Sequence, residues 1–592
     1  MPRFAIGDHD FLLDGQPHRI LSGALHYFRI HPGDWADRIA KARGMGLNTI
    51  ETYVAWNAHE PSRGVWDATG GNDLGRFLDL VAEAGMHAIV RPGPYICAEW
   101  HNGGLPAWLT ALPGIGLRRS EPQYLAEVEA YLRRVYEIVA PRQINRGGNV
   151  VLVQIENEYG AYGADKEYLT ELVRITKDAG ITVPLTTVDQ PQPQMLRDGS
   201  LPGLHLTGSF GSRAAERLAT LREHQPTGPL MCSEFWCGWF DWWGNTHHTT
   251  SAADSAAELD ALLAAGASVN VYMVHGGTNF GLTNGANHKG RYLPLATSYD
   301  YDAPLDEAGD PTEKYFAFRD VIAKHAPVPA EAPVAVGDRP VCDAPLSSLG
   351  DWRLAVEAPA VEAEAPPTFE DLAHVGALVE YTAELPAEAF GAESTALLTV
   401  DSARDMAWVE VDGVRVGSLS RTRHERRLVI PRGRTLSILV EDLGRVNYGP
   451  RIGEAKGLIG QPRVGGVPLT GWTATPLDVA AIGTALTDAQ LTDATGEELT
   501  APASGPVALR GEFALATPSD LFLSTDGWGK GYAFVNGFFL GRYWSNGPQR
   551  TLYVPRPATR SGVNAVVLLE LEGTAETAAR FVARPDLGPT EE

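Results

Sequence analysis

The sequence predicts two structural classes in one chain: a parallel α/β region over residues 1–325 that closes into an eight-stranded barrel, and all-β modules of sandwich type beyond it. Three observations predict this. Strand-length apolar runs alternate with helix-spaced apolar stripes through the first ~325 residues, the signature of a parallel sheet with crossover helices. The conspicuous polar and aromatic runs follow strand ends, where such folds collect functional groups. From residue 326 the texture turns to Pro, Ala and Glu, and then to short strands joined by Asp-Gly and Asn-Gly turns.

Element by element, residues 20–27 read as the first strand, and Asp34 as the cap of a helix with Trp35, Ile39 and Ala42 on one face, stopped by Gly44 and Gly46. Residues 47–54 form the second strand, followed by a stripe of Leu74, Phe77, Leu78 and Val81 ending at Gly85. The third strand, 86–91, runs into Pro92 to Trp100, and a long helix striped by Leu125, Val128, Leu132, Val135 and Val139 leads to the fourth, Val150 to Ile155. A helix over 168–179 precedes the fifth strand, 181–187. The sixth lies near 204–210, the seventh ends in Glu234, a helix spans 252–265, and 269–275 make the eighth. An open doubly wound sheet would also put polar groups at strand ends, so it is the count of eight units that argues for a (β/α)8 TIM barrel.

The division expected is a catalytic barrel, 1–325; a linker with the first strands of the β region, 326–395; one β-sandwich, 396–500; and a second, 501–592. Val411 to Gly417 and Val535 to Gly541 resemble each other. Each is followed twenty residues later by a Pro-ended strand and then by a strand ending in acid, Glu441 or Glu570. One jelly-roll module used twice accounts for this.

Two strands carry the chemistry. Val150 to Ile155 is apolar and β-branched, as a strand buried on both faces should be, and breaks into Glu156-Asn157-Glu158. Pro229 to Glu234 ends in another acid, followed by Phe235, Trp236, Trp239, Phe240, Trp242 and Trp243. Burying carboxylates costs several kcal/mol and calls for a reason. Two acids beside aromatic platforms suit glycoside hydrolysis. A net charge of −24 over 592 residues argues against nucleic acid and anionic membranes as partners. No 18-residue apolar run occurs, the four cysteines show no metal spacing, and the cytoplasm is the expected location. Adjacent His247 and His248 do not converge on one ion and read as an ordinary loop.

These motifs resemble glycoside hydrolase family 35, the β-galactosidases. The resemblance rests on Gly147-Gly148 through Gln154 to Tyr159, with Asn149 where proline is usual. It continues in Ser22-Gly23, His26-Tyr27, Glu51-Thr52-Tyr53, Trp56-Asn57, His59 to Pro61, Arg91 to Trp100, Gly103 to Trp108, Gly276 to Phe280, Thr297 to Pro304, Gly444 to Gly449 and Gly529 to Trp544. It implies a retaining exo-acting hydrolase that removes terminal β-D-galactose from small galactosides and oligosaccharides, with no metal or organic cofactor and galactose-binding-like β domains. By the same resemblance, Glu158 is the acid/base and Glu234 the nucleophile, and Tyr53, Ile96, Cys97, Ala98, Glu99, Asn157, Tyr272 and Tyr301 line the galactose site. Asn157 is expected to meet the 2-hydroxyl and Tyr272 to orient Glu234. Glu156 is either a sugar ligand or a partner of neighbouring groups, the second being favoured. Trp236, Trp239 and Tyr448 look like the intracellular bacterial branch of the family and form an expected clamp on the second sugar, with a preference for β-1,3 linkages. Tyr448 then requires the first β module to reach over the barrel mouth. An exo-β-glucosaminidase of the same family and a non-catalytic carbohydrate-binding protein are the alternatives, and a homodimer is an open option.

Overall fold

The computed structural model describes residues 3–488 and 497–591. Its first part is a closed barrel of eight parallel strands: β1 Leu21–Leu25, β2 Thr49–Tyr53, β3 His87–Arg91, β4 Val150–Gln154, β5 Leu185–Asp189, β6 His205–Ser209, β7 Met231–Trp236 and β8 Ser268–His275. Each pairs with the next, and β8 closes on β1 through Val269 opposite Leu21. The helices that separate them bury the predicted stripes: Trp35, Ile39 and Ala42 in α1 (Trp35–Gly44), Leu74, Phe77, Leu78 and Val81 in α2 (Leu74–Glu83), and Val128, Leu132, Val135 and Val139 in α3 (Pro122–Val139). An N-terminal antiparallel sheet, residues 4–18, packs Phe11 edge-on against His205 at the entry to β6.

Two local expectations give way. The side chain of Asp34 makes no capping bond, because a 3-10 turn, Pro32–Asp34, runs straight into α1, and Asp34 faces Arg556 of the last domain instead. Strand β5 starts at Leu185 rather than 181. The backbone amides of Thr182 and Val183 are taken by the Gln143 side chain, and Pro184 has no N–H to give a ladder. At Asn149, where proline is usual, the side-chain amide donates to Leu78 and Met86 carbonyls and the backbone N–H to Arg142, a bond proline could not make.

Beyond the barrel, a six-stranded and a four-stranded sheet enclose one core containing Tyr381, Val409, Ile438, Leu398, Ile430 and Trp472. The last domain draws a strand from the region read as linker. Cys342–Gly350 pairs through its first half with Ala578–Val582 and through its second with Val507–Leu515, so the sheet folds over its own core. The two similar segments are equivalent hairpins. Asp412-Gly413 (φ 49°, 78°) joins Met406–Val411 to Val414–Ser420, and Asn536-Gly537 (φ 50°, 82°) joins Lys530–Val535 to Phe538–Trp544. The paired positive φ values are those of the tight turn that Asp-Gly and Asn-Gly favour. A helix, Val479–Asp488, which the sequence reading did not contain, packs Ile482 and Gly483 between the two modules.

A further core containing Trp243, Tyr292, Trp352, Trp408, Tyr532, Phe534 and Trp544 joins barrel and both modules. Polar contacts pin the same seam. Tyr95 donates to the Asn447 carbonyl, Arg542 to Asn284, and Ala286 pairs with Val446. The first β module therefore does extend over the barrel mouth, carrying residue 448 with it.

Candidate active site

At the carboxyl end of the barrel lies a cavity lined by Tyr53, Cys97, Ala98, Glu99, Asn157, Glu158, Glu234, Trp236, Trp239, Tyr272, Tyr301 and Tyr448, all singled out from the sequence. Ile96 is the exception. Its side chain is fully buried against Gly93 and Gly104, so it backs the wall instead of forming it.

The two acids after β4 part company through backbone geometry. The strand stops at Gln154, and Glu156 (φ 59°) and Glu158 (φ 44°) both take left-handed conformations, so strict alternation no longer holds. Such conformations cost about 1–3 kcal/mol and concentrate at functional sites. Glu156 is drawn to Arg118, which grips it through two bonds of 3.0 and 2.9 Å, with Tyr168 adding a third at 2.8 Å. Arg118 also donates to the Asn157 carbonyl and lies 3.8 Å from the Tyr95 ring centroid. Glu156 thus braces the turn and takes no place in the cavity wall. Glu158 turns into the cavity, where Ser209 at the end of β6 donates to it at 2.5 Å.

Strand register completes the juxtaposition, since Ser209 is the paired neighbour of Glu234 on β7. Three donors converge on the Glu234 carboxylate: Tyr53 at 2.9 Å, Arg91 at 2.5 Å and the Trp236 indole at 3.1 Å. Tyr272, expected to orient Glu234, makes no hydrogen bond to it, and Tyr53, Arg91 and Trp236 hold it instead. Asn157 is fixed too. Its Oδ1 accepts from Arg91 and shares the single Tyr53 hydroxyl proton with Glu234; because Arg91 can only donate, the amide orientation is settled and the NH2 is left to donate.

Electrostatics separates the acids. Burial first, and the charge of Glu234 second, push the Glu158 carboxyl up to about 7, against the opposing effects of the Ser209 bond and Arg91. Glu99 is likewise pushed up to about 7, first by burial, although Tyr299 donates to it at 2.6 Å. Three successive non-glycine residues, Cys97, Ala98 and Glu99, have positive φ (57°, 53° and 51°), and Arg29 holds that turn through the Ala98 carbonyl. Burial pushes the Cys97 thiol well above its ordinary range, which fits a wall residue and not a nucleophile. Tyr301 (φ 64°) is set by close approach: a Cβ on Gly238 would overlap its carbonyl at 1.8 Å. Lys314 ties the same two segments by donating to the carbonyls of Cys237 and Asp302.

The proposed clamp residues share the cavity. Trp236 and Trp239 meet edge to face at 6.0 Å, Trp239 stacks on Phe240 at 4.9 Å, and half-exposed Tyr448 lies within the field of Glu158. Trp243 belongs to the interdomain core. His247 and His248 both bond Asp241, and among the described residues no group of three His, Cys, Asp or Glu is arranged to hold a metal ion.

Sequence reasoning missed Gln190, Asn287 and Lys289 in the cavity wall, where Phe240 of the aromatic cluster also stands, and Arg91, Ser209 and Tyr299 as the holders of its acids. Arg91, Ser209 and Gln190 stand at or just past strand ends, so the rule that found Glu234 reaches them. Asn287 and Lys289 sit on an excursion after β8 with no periodic signal.

A parallel barrel bearing two carboxyls at one strand-end cavity, one of them pushed up by burial first and by its neighbour second, is the architecture of a glycoside hydrolase. The chain belongs to Glycosyl hydrolases family 35, whose model matches residues 10–325. The first all-beta domain and the galactose-binding domain of β-galactosidases match residues 366–478 and 506–564. The "Beta-galactosidase" of Bos taurus is 42% identical over 591 residues, 95% of this chain and 89% of that protein. The "Beta-galactosidase" of Homo sapiens is 39% identical over 98% of this chain and 89% of its own length, and the "Beta-galactosidase-1-like protein" of Mus musculus 41% identical over 98% and 92%.

Proposed function

We propose that this enzyme is an exo-β-galactosidase that works with retention of configuration, Glu234 attacking the anomeric carbon while Glu158 protonates the leaving oxygen. The observation that carries this reading is geometric: Glu158 and Glu234 line one strand-end cavity, with Ser209, the paired neighbour of Glu234, donating to Glu158, and burial first and the Glu234 charge second push the Glu158 carboxyl up to about 7. Glu234 is held toward the cavity by three donors, Tyr53, Arg91 and Trp236. As the bond from Glu234 to the anomeric carbon forms and the glycosidic C–O bond breaks, the Glu158 proton leaves with the departing oxygen; with the Glu234 charge consumed in the new bond, Glu158 is left as a carboxylate that takes a proton from the attacking water. The free NH2 of Asn157 suits the sugar 2-hydroxyl, where a bond that tightens in the transition state has most effect. The resemblance to relatives named β-galactosidases supports galactose as the sugar removed, and an exo-β-glucosaminidase or a binding protein is the outcome if galactosides are not turned over.

The test assigns the acids separately. Glu234→Gly with added azide is expected to yield α-galactosyl azide, attack coming from the vacated face. Glu158→Ala, given a substrate with a good leaving group, still forms the galactosyl-enzyme and releases β-galactosyl azide. The same anomer from both variants would refute the assignment.

A preference for β-1,3-linked galactose belongs to the same proposal. Trp236, Trp239 and Tyr448 line the cavity together, and stacking of a second sugar on such flat rings depends on the angle at which it departs. A linkage-resolved digest should show the β-1,3 disaccharide cleaved fastest; equal or faster β-1,4 cleavage would remove the clamp from the account. A cytoplasmic location completes the proposal and is open to cell fractionation.

A further inference from the structure

After β8 the chain makes a hairpin whose strands, Ala286–His288 and Tyr292–Pro294, pair antiparallel. Successive strand residues face opposite sides, and here both sides are cavities. Asn287 and Lys289 line the catalytic cavity. His288, Gly290 and Tyr292 line a second one, closed on its far side by the first β module.

That second cavity carries Arg404, Arg421, Arg426 and Arg451, against Asp401 and Glu425 as the acids of its wall. Compensation is thin. Glu454 serves Arg421, Arg451 and Arg404 together, at 2.5, 3.2 and 3.9 Å, and Arg421 also meets Asp405 at 2.8 Å. Glu425 is engaged by Arg423, and Arg426 makes no ion pair among the described residues. Burial first, and then the charges of Arg451 and Arg421, lower the basicity of His288 against the opposing effect of Glu454. This concentration of guanidinium stands in a chain of net charge −24.

On the catalytic side, Lys289 is the one cation in the described wall, 6.0 Å from the Trp239 ring centroid. Asn287 is more than nine-tenths buried, and its Oδ1 has no hydrogen-bond partner among the described residues. A buried, unpaired amide in a functional cavity calls for a ligand. The one hairpin thus carries Asn287 and Lys289 on the catalytic cavity and His288, Gly290 and Tyr292 on the arginine-lined one.

We propose that the arginine-lined cavity binds an anionic group, carboxylate or sulfate, carried by the leaving-group part of the substrate, with Asn287 and Lys289 as that leaving group's first polar contacts. Guanidinium forks match the oxygens of such anions in pairs, which ammonium groups do not. The local field also steers an anionic substrate toward a protein that otherwise repels it. The substrate half of this inference rests on the galactoside-hydrolase reading; the anion site does not.

The experiment uses the full chain and the double variant Arg426→Gln/Arg451→Gln, which leaves Arg421 with Asp405 and Glu454. Two β-galactosyl disaccharides are compared, one ending in glucuronic acid and one in glucose. At low salt kcat/KM for the charged disaccharide should exceed that for the neutral one about tenfold, and the advantage should vanish in the double variant and shrink with salt. Turnover of the neutral disaccharide should be unchanged. Equal kcat/KM for the pair in the wild type, or an advantage untouched by the double variant, would overturn the proposal. Inorganic sulfate should compete with the charged disaccharide alone; sulfate that alters turnover of both equally marks an effector site and overturns the leaving-group assignment. If no galactoside is hydrolysed, the activity reading has failed and calorimetric titration with the glucuronic-acid disaccharide decides this one. Binding lost in the double variant supports it, and absence of binding refutes it.

Discussion

Glu158 at the barrel mouth and Glu441 at the seam between the β modules are both acids that end or follow an apolar strand; Glu441 is fully buried and Glu158 partly so, on the wall of the cavity. Their surroundings differ. Glu441 accepts from Lys530 at 2.9 Å, Arg542 at 2.9 Å and Tyr532 at 2.7 Å, two full positive charges and a hydroxyl from the neighbouring module. Glu158 receives one neutral donor, Ser209, and faces a second carboxylate and an open cavity. A buried acid matched by cations is a strut, and a buried acid left under-matched beside another acid is a proton carrier. Glu156, only two residues from Glu158, falls on the strut side of this division because Arg118 reaches it.

The comparison can be broken in two places. Replacing Glu158 by alanine should lower kcat on unactivated galactosides by about 10²- to 10⁴-fold, the usual contribution of a general acid, while leaving the unfolding midpoint nearly where it was. Loss of stability with intact turnover would make Glu158 a strut after all. Replacing Glu441 by glutamine should do the reverse. Lys530 and Arg542 would stay buried with their counter-charge gone, at a cost of about 3–5 kcal/mol, read as a lower denaturant midpoint, with kcat per folded molecule preserved. A fall in kcat without a fall in stability would put Glu441 in communication with the site.

The smallest effect sharpens the comparison. The Ser209 hydrogen bond favours the Glu158 anion and so opposes the rise to about 7. Removing it with Ser209→Ala raises the proton affinity of Glu158 further. Glu158 works as an acid while protonated, so the alkaline limb of kcat/KM should move to higher pH, by less than about one unit. A shift to lower pH would mean that another carboxyl, such as Glu99, which is also pushed up to about 7, governs that limb.

Sequence alone determined the class of each region, because hydrophobic period and turn chemistry are local properties. The buried runs at Val150–Gln154 and Met231–Trp236 needed no partner to be read as parallel strands. The Asp412-Gly413 and Asn536-Gly537 turns announced their hairpins, and the acids at the strand ends announced a site. The start of β5 was displaced because the Gln143 side chain, forty residues away, claims the amides that periodicity assigned to a ladder. The division of labour between Glu156 and Glu158 was out of reach, since it depends on two left-handed backbone turns and on Arg118 arriving from another loop. Tyr272 was assigned a task that Tyr53, Arg91 and Trp236 perform, because hydrogen-bond partners at a barrel mouth come from different strands and only closure brings their ends together. Which buried carboxylates meet cations and which meet each other is a property of the folded field. Periodicity records only that they are buried, and the tertiary structure decides what each of them is buried beside.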